Sequence, residues 1–227
     1  MSSATSNVIA LWQSQETMTN PIVSELIDYW DHLRAGRDVP LRAEIEPKDI
    51  QSTLSNSFIL ERSAPGTVRF RLAGVHMNEL MGMEVRGMPV RAFFELSDRK
   101  RLMEHVEMVF EGPCILDIEL ISDSQGSASL EGRMVLMPLR NHDGEISRAL
   151  GVLVTDGLVG LPPRRFRIRR QSLIPVQPGK PLMIDAALTE HRGPGLSEDP
   201  RPYILPNRDV VSAQHQLRVI KGGKVIH

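Results

Sequence analysis

At 227 residues the chain holds one domain of ordinary size plus appendages, and 41% hydrophobic residues supply a core, which excludes global disorder. Lys and Arg number 27 against 28 Asp and Glu, so the net charge of −1 gives no overall pull toward nucleic acid. One cysteine, Cys114, excludes an intramolecular disulfide and a clustered cysteine metal site, and no uncharged apolar run approaches the roughly 18–20 residues of a membrane span.

Residues 1–19 are rich in Ser, Thr, Asn and Gln and are expected to be flexible. Their apolar stretch at 8–12 is too short for a secretion signal, so a cytoplasmic protein is expected. Asn20-Pro21 is an N-cap with Pro at the first helical position, and Ile22, Val23, Leu26, Ile27, Trp30 and Leu33 form one apolar stripe ended by Gly36. Pro40 and Pro47 punctuate a connector, with a short helix at Pro47-Lys48-Asp49-Ile50. Phe58-Ile59-Leu60 is a first strand. Val68, Phe70 and Leu72, alternating with Arg69 and Arg71, form a second, joined to the first by a turn at Pro65-Gly66.

A short helix at 77–81 follows, then a longer one capped by Ser97-Asp98 with Leu102, Val106 and Val109 inward, stopped at Gly112-Pro113. Three strands come next. Cys114, Leu116, Ile118 and Leu120 alternate with Asp117 and Glu119, which are expected on an exposed face. Leu130, Met134 and Leu136 share a face opposite Arg133, Asp143-Gly144 turns a hairpin, and 149–155 is apolar on both faces, hence central or covered. Beyond Asp156 the composition changes: residues 160–227 hold 9 of the 16 prolines and 12 Lys/Arg against 5 Asp/Glu, while 1–159 hold 15 against 23. The expected organisation is a flexible 1–19, a folded domain at 20–158, and a Pro/Arg-rich, mostly disordered tail at 159–227 on an acidic body.

Tyr29-Trp30 in the leading helix, Pro47-Lys48-Asp49-Ile50, the Arg71-Leu72-Ala73-Gly74 stretch and the helix ending at Met81-Gly82 resemble stand-alone bacterial PAS-domain proteins over roughly residues 22–158. The resemblance implies an α+β fold: a five-stranded antiparallel sheet with helices on one face, the N-terminal helix on the other, and a largely disordered C-terminal tail. It also implies a non-enzymatic sensory or regulatory role in signal transduction, through a small ligand or a signalling protein such as a histidine kinase. Cys114 falls at a strand start rather than in the helical region where flavin-binding light sensors carry their cysteine, and Thr155-Asp156-Gly157 leads to Pro162-Pro163 rather than to an output helix. No cofactor is required by the sequence.

The candidate sites follow from this frame. Met77, Met81, Leu102, Val106, Met134 and Leu136 are expected to line an apolar ligand cavity between helices and sheet, within a group of eight core methionines that also includes Met83, Met88, Met103, Met108 and Met137. The competing reading is that methionine merely fills an irregular core. His105 sits where haem-binding PAS domains keep their axial histidine, although Arg101 and Glu104 beside it suit an ordinary helix residue. Leu26, Tyr29, Trp30 and Leu33 are expected to present a partner or homodimer surface. Five arginines in 164–170 place Arg165, Arg167 and Arg169 on one side of an extended chain as anion or nucleotide contacts, against a tether resting on the acidic body. A hairpin or docking peptide is expected around Lys221-Gly222-Gly223-Lys224. Two other classes are alternatives: a hot-dog acyl-thioester enzyme, which needs a long central helix early in the sheet, and a nucleic-acid adaptor using the arginine run. No membrane or metal site is expected.

Overall fold

The side chain of Asn20 accepts a hydrogen bond from the Ile22 N–H at 2.9 Å, and with Pro21 at the first position it starts helix α1 (Pro21–Arg34). Ala35 ends the helix in the left-handed region at φ 47°, followed by Gly36 at φ 82°. The computed structural model describes residues 20–123, 128–180 and 182, all in the first of two units into which the chain divides, Met1–His191. The expected flexible 1–19 and the hairpin around 221–224 lie outside the described residues.

Six strands follow: β1 (Ser57–Ala64), β2 (Thr67–Ala73), β3 (Cys114–Ser122), β4 (Leu130–Arg140), β5 (Ile146–Asp156) and β6 (Arg167–Pro175). They form one sheet in the order β2-β1-β5-β4-β3-β6, every neighbour antiparallel. Helices α2 (Val75–Met81) and α3 (Arg99–Glu111) cover one face, and α1 covers the other. The sheet thus separates two cores. Strand β5 sends Ala149 and Leu153 into the first and Leu150, Val152 and Val154 into the second, which is why it is apolar on both sides.

The arrangement is the expected one, with one strand more. Strand β6 lies inside the segment expected as tail. Phe166 and Ile168 are buried while Arg165, Arg167, Arg169 and Arg170 are exposed, so the arginine run is an edge strand resting on β3. Prolines bracket the strand, Pro162-Pro163 before it and Pro175 at its last position, and a residue without an N–H is tolerated there. The proline count obscured a strand whose alternation was present in the sequence.

Two further expectations are corrected. Asp117 is buried rather than exposed, because Arg133 on β4 neutralises it with a two-point pair, Nε to Oδ1 at 3.0 Å and Nη2 to Oδ2 at 2.7 Å. The cap of α3 is made differently. Asp98 occupies the N-cap position without a side-chain cap bond, and its main-chain oxygen accepts from the Leu102 N–H at 2.8 Å.

Candidate functional site

Met77, Met81, Leu102, Val106, Met134 and Leu136 are all buried in the core under α2 and α3, so six residues from three elements share one core. The methionines as a set do not. Met83 and Met108 are exposed, Met88 and Met103 are partly buried, and Met137 belongs to the core under α1. All six phenylalanines of the chain share the inner core with them. Phe58 and Phe70 meet edge to face with centroids 5.2 Å apart, and Phe70 and Phe93 lie 4.9 Å apart. The Phe58 ring lies directly over Gly151, where a Cβ would stand 2.2 Å from it. The strand gives up its side chain so that the ring can fill the interior.

His105 stays outside that core. Its Nδ1 lies 2.9 Å from the Arg101 carbonyl, and its Nε2 lies 2.8 Å from Nε2 of Gln171 on β6. The imidazole therefore serves the contact between α3 and the edge strand. Cys114 is half-buried with its thiol pushed up to about 11 by burial, and its Sγ donates to the Met108 carbonyl.

The expected surface on α1 is corrected. Leu26 and Trp30 are wholly buried against the chain's own sheet, and the Trp30 indole N–H donates to the Pro138 carbonyl at 2.9 Å. Tyr29 and Leu33 pack at the margin of the same core, and Tyr29 Oη accepts from the Glu46 N–H at 3.0 Å. An apolar stripe reads alike whether it meets a sheet or a second copy, and here the sheet takes it.

Exposed apolar side chains on and beside α2 include Val75 and Met83, while Leu96 and Met108 are exposed elsewhere. Leu72 and Val75 flank Gly74 in sequence, and the Leu54 backbone lies against it at the start of β1. The Gly74 N–H donates to Ser57 O at 2.8 Å, and a Cβ on Gly74 would stand 2.2 Å from Leu54 O. At the other end of α2, Pro162 lies on Gly82, and the Arg164 N–H donates to Leu80 O at 2.7 Å. Leu161 precedes Pro162 and Met83 follows Gly82, with Leu158 in the same connector; Leu158 is 85% exposed and Leu161 70%. His76 ties the helix to the final strand of the expected domain, its Nε2 lying 3.1 Å from Thr155 Oγ1. The sequence reading missed this cluster. Its signal was large aliphatic residues inside a Gly- and Pro-bounded connector, Gly157-Leu158-Val159-Gly160-Leu161-Pro162, which belongs to no periodic element.

Residues 18–154, more than half of the chain, match the family model of the PAS domain. The chain belongs to the PAS domain family. No curated protein sequence matches it. Among solved structures this PAS domain is similar to a light-oxygen-voltage domain studied with a flavin analogue, at 19% identity over 48% of this chain and 83% of that one, TM-score 0.39. It is similar to the Aureochrome1 LOV blue-light photoreceptor in its light state, at 18% identity over 48% and 88%, TM-score 0.37. It also overlaps the PAS-B domain of Drosophila melanogaster Cycle with bound glycerol, at 16% identity over 44% and 99%, TM-score 0.34. PAS domains are in general sensory signalling domains rather than catalysts. No helix among the described residues is long and apolar enough to cross a membrane.

In this PAS domain the arginine run is largely paired. Arg169 reaches Glu131 at 2.7 Å, Arg170 lies 3.8 Å from Glu119, and Arg167 pairs with Asp123. These are partners on β3, on β4 and at the end of β3, as the tether reading expects. Arg165 makes no hydrogen bond or ion pair among the described residues, unlike Arg167 and Arg169.

Proposed function

We propose that this PAS domain is a regulatory module with non-covalent output, and that it docks a signalling protein on the apolar rim of α2. The observation that carries this reading is the exposure of Leu72, Val75, Met83, Leu158 and Leu161 around one short helix, beside an interior in which Phe58 already lies over Gly151. The rim touches the end of β5 through His76 and Thr155, so a partner there meets the strand that PAS domains use to pass on a signal. A histidine kinase is the partner class that the family resemblance suggests. The test is biolayer interferometry of the purified chain against histidine kinases of its source organism, with the double variant Val75→Glu, Leu158→Glu alongside. Both side chains are exposed, so the variant is expected to fold and to weaken binding at least about tenfold. Equal binding by variant and parent, or no binding by either, rejects the reading.

A second reading keeps an apolar ligand among Met77, Met81, Leu102, Val106, Met134 and Leu136. Their convergence in one core and the adaptability of methionine favour it. Native mass spectrometry of the purified protein decides it, since a ligand held there travels with the protein as a discrete added mass.

A further inference from the structure

Phe94 and Phe166 bridge two parallel extended segments outside the six strands. The Phe166 N–H donates to Phe93 O at 2.8 Å, and the Glu95 N–H donates to Phe166 O at 2.9 Å. Both bridging phenylalanines are wholly buried. Successive side chains of an extended segment point to opposite sides, so Glu95 on one segment and Arg165 and Arg167 on the other turn to solvent, and all three are exposed. They line one cavity of about 370 Å³ together with Leu96, Ser97 and Asp123. That volume is within the range of roughly 300–1,000 Å³ typical of small-molecule sites.

The charges of the wall divide into an occupied pair and a free pair. Arg167 binds Asp123, whose carboxylate also accepts from the Ser129 hydroxyl at 2.7 Å. The Ser129 hydroxyl and Arg167, with the charge of Arg164 added, hold the Asp123 carboxyl below its usual value, so it stays ionised and occupied. The Arg165 guanidinium and the Glu95 carboxylate have no side-chain hydrogen bond or ion pair among the described residues, and they do not bind each other although they share the wall. Leu96, 77% exposed, adds apolar surface between Glu95 and Ser97.

We propose that this cavity binds a free α-amino acid with an apolar side chain, its carboxylate on Arg165, its ammonium group on Glu95 and its side chain against Leu96. One free cation and one free anion in a single wall suit a molecule that carries both charges, and an α-amino acid is such a zwitterion near neutral pH. A guanidinium offers a carboxylate two parallel N–H donors, and an ammonium group brings three donors to Glu95. A dicarboxylate would set one charge against Glu95, and a diamine one against Arg165, so the sign pattern rejects both. The site is independent of the six core residues and of the rim of α2, none of which lines it.

Isothermal titration of the full chain with L-leucine tests this. Two parallel probes are 4-methylpentanoate, which lacks the ammonium group, and 3-methylbutylamine, which lacks the carboxylate. Saturable binding of L-leucine is expected, with each of the other two at least about tenfold weaker. Glu95→Gln and Arg165→Gln, both at exposed positions, are expected to keep the circular dichroism spectrum of the parent and to weaken L-leucine binding at least about tenfold. Arg165→Lys is expected to recover part of that loss. Absence of saturable L-leucine binding overturns the proposal. So does an unchanged affinity in either glutamine variant, or either analogue binding as tightly as L-leucine.

Discussion

His76 joins the first turn of α2 to β5 through Thr155, with Glu79 as the charged group 3.5 Å from its other ring nitrogen. Burial lowers its affinity for a proton below the ordinary value of 6.5, and Glu79 offsets this only in part. The unfolded chain therefore binds the proton more readily than the folded one. The contribution of His76 to stability is full above pH 6.5 and is lost as pH falls through the lowered folded value. Urea midpoints of the parent and of His76→Gln are expected to converge as pH is lowered from 7 to 5. A constant difference over that range would show that folding leaves the proton affinity of His76 unchanged. Gly151 illustrates the opposite case, a residue whose absence of chemistry matters. The Phe58 ring occupies the place where its side chain would stand, so the packing there requires a residue without a Cβ.

Among the elements, β6 changes what the domain is. It covers β3, which would otherwise be the sheet edge, and contributes Ile168 and Ile174 to the two cores, with Phe166 just before it in the inner one. Its continuation is fastened as well. Arg34, buried at the end of α1, donates to Gln177 O at 3.2 Å and also to Lys180 O, and the Gly179 N–H donates to Gly36 O at 3.0 Å. Each buried aliphatic or aromatic side chain of this kind contributes on the order of 1.5–3 kcal/mol. A chain ending at residue 157 is therefore expected to melt well below one ending at residue 182, or to aggregate through the exposed edge of β3. Equal thermal midpoints for the two truncations would return 159–182 to the status of a tail.

At the scale of the whole molecule, one sheet divides two cores and each helix layer has its own task. α1 seals the outer core with Val23, Leu26, Ile27 and Trp30. Removing the Trp30 side chain leaves a cavity and an unpaired Pro138 carbonyl, so Trp30→Ala is expected to cost about 3–5 kcal/mol in urea denaturation. The oligomeric state, read by size-exclusion chromatography, is expected to be unchanged wherever the variant remains folded. A variant of full stability that changes only from dimer to monomer would show that Trp30 serves an interface after all. The inner layer, with α2 at its rim, carries the exposed apolar residues and thus the surface proposed for signalling.

The sequence by itself determined the order of elements, the two-sided burial of β5 and the family, because periodicity, caps and turn residues are local properties. Asn20-Pro21, Asp143-Gly144 and the alternation in 114–120 each announced an element that is present. What covers an apolar stripe and what neutralises a charge were decided by tertiary structure alone. Trp30 meets Pro138 across 108 residues, Asp117 meets Arg133 from the neighbouring strand, and Arg164 meets Ser122 at a separation of 42. Those pairings depend on strand register and on a sixth strand hidden between prolines. The sites follow the same division. The six core residues were legible as apolar positions, whereas the seat of Phe58 over Gly151 and the rim of α2 exist only where distant segments meet.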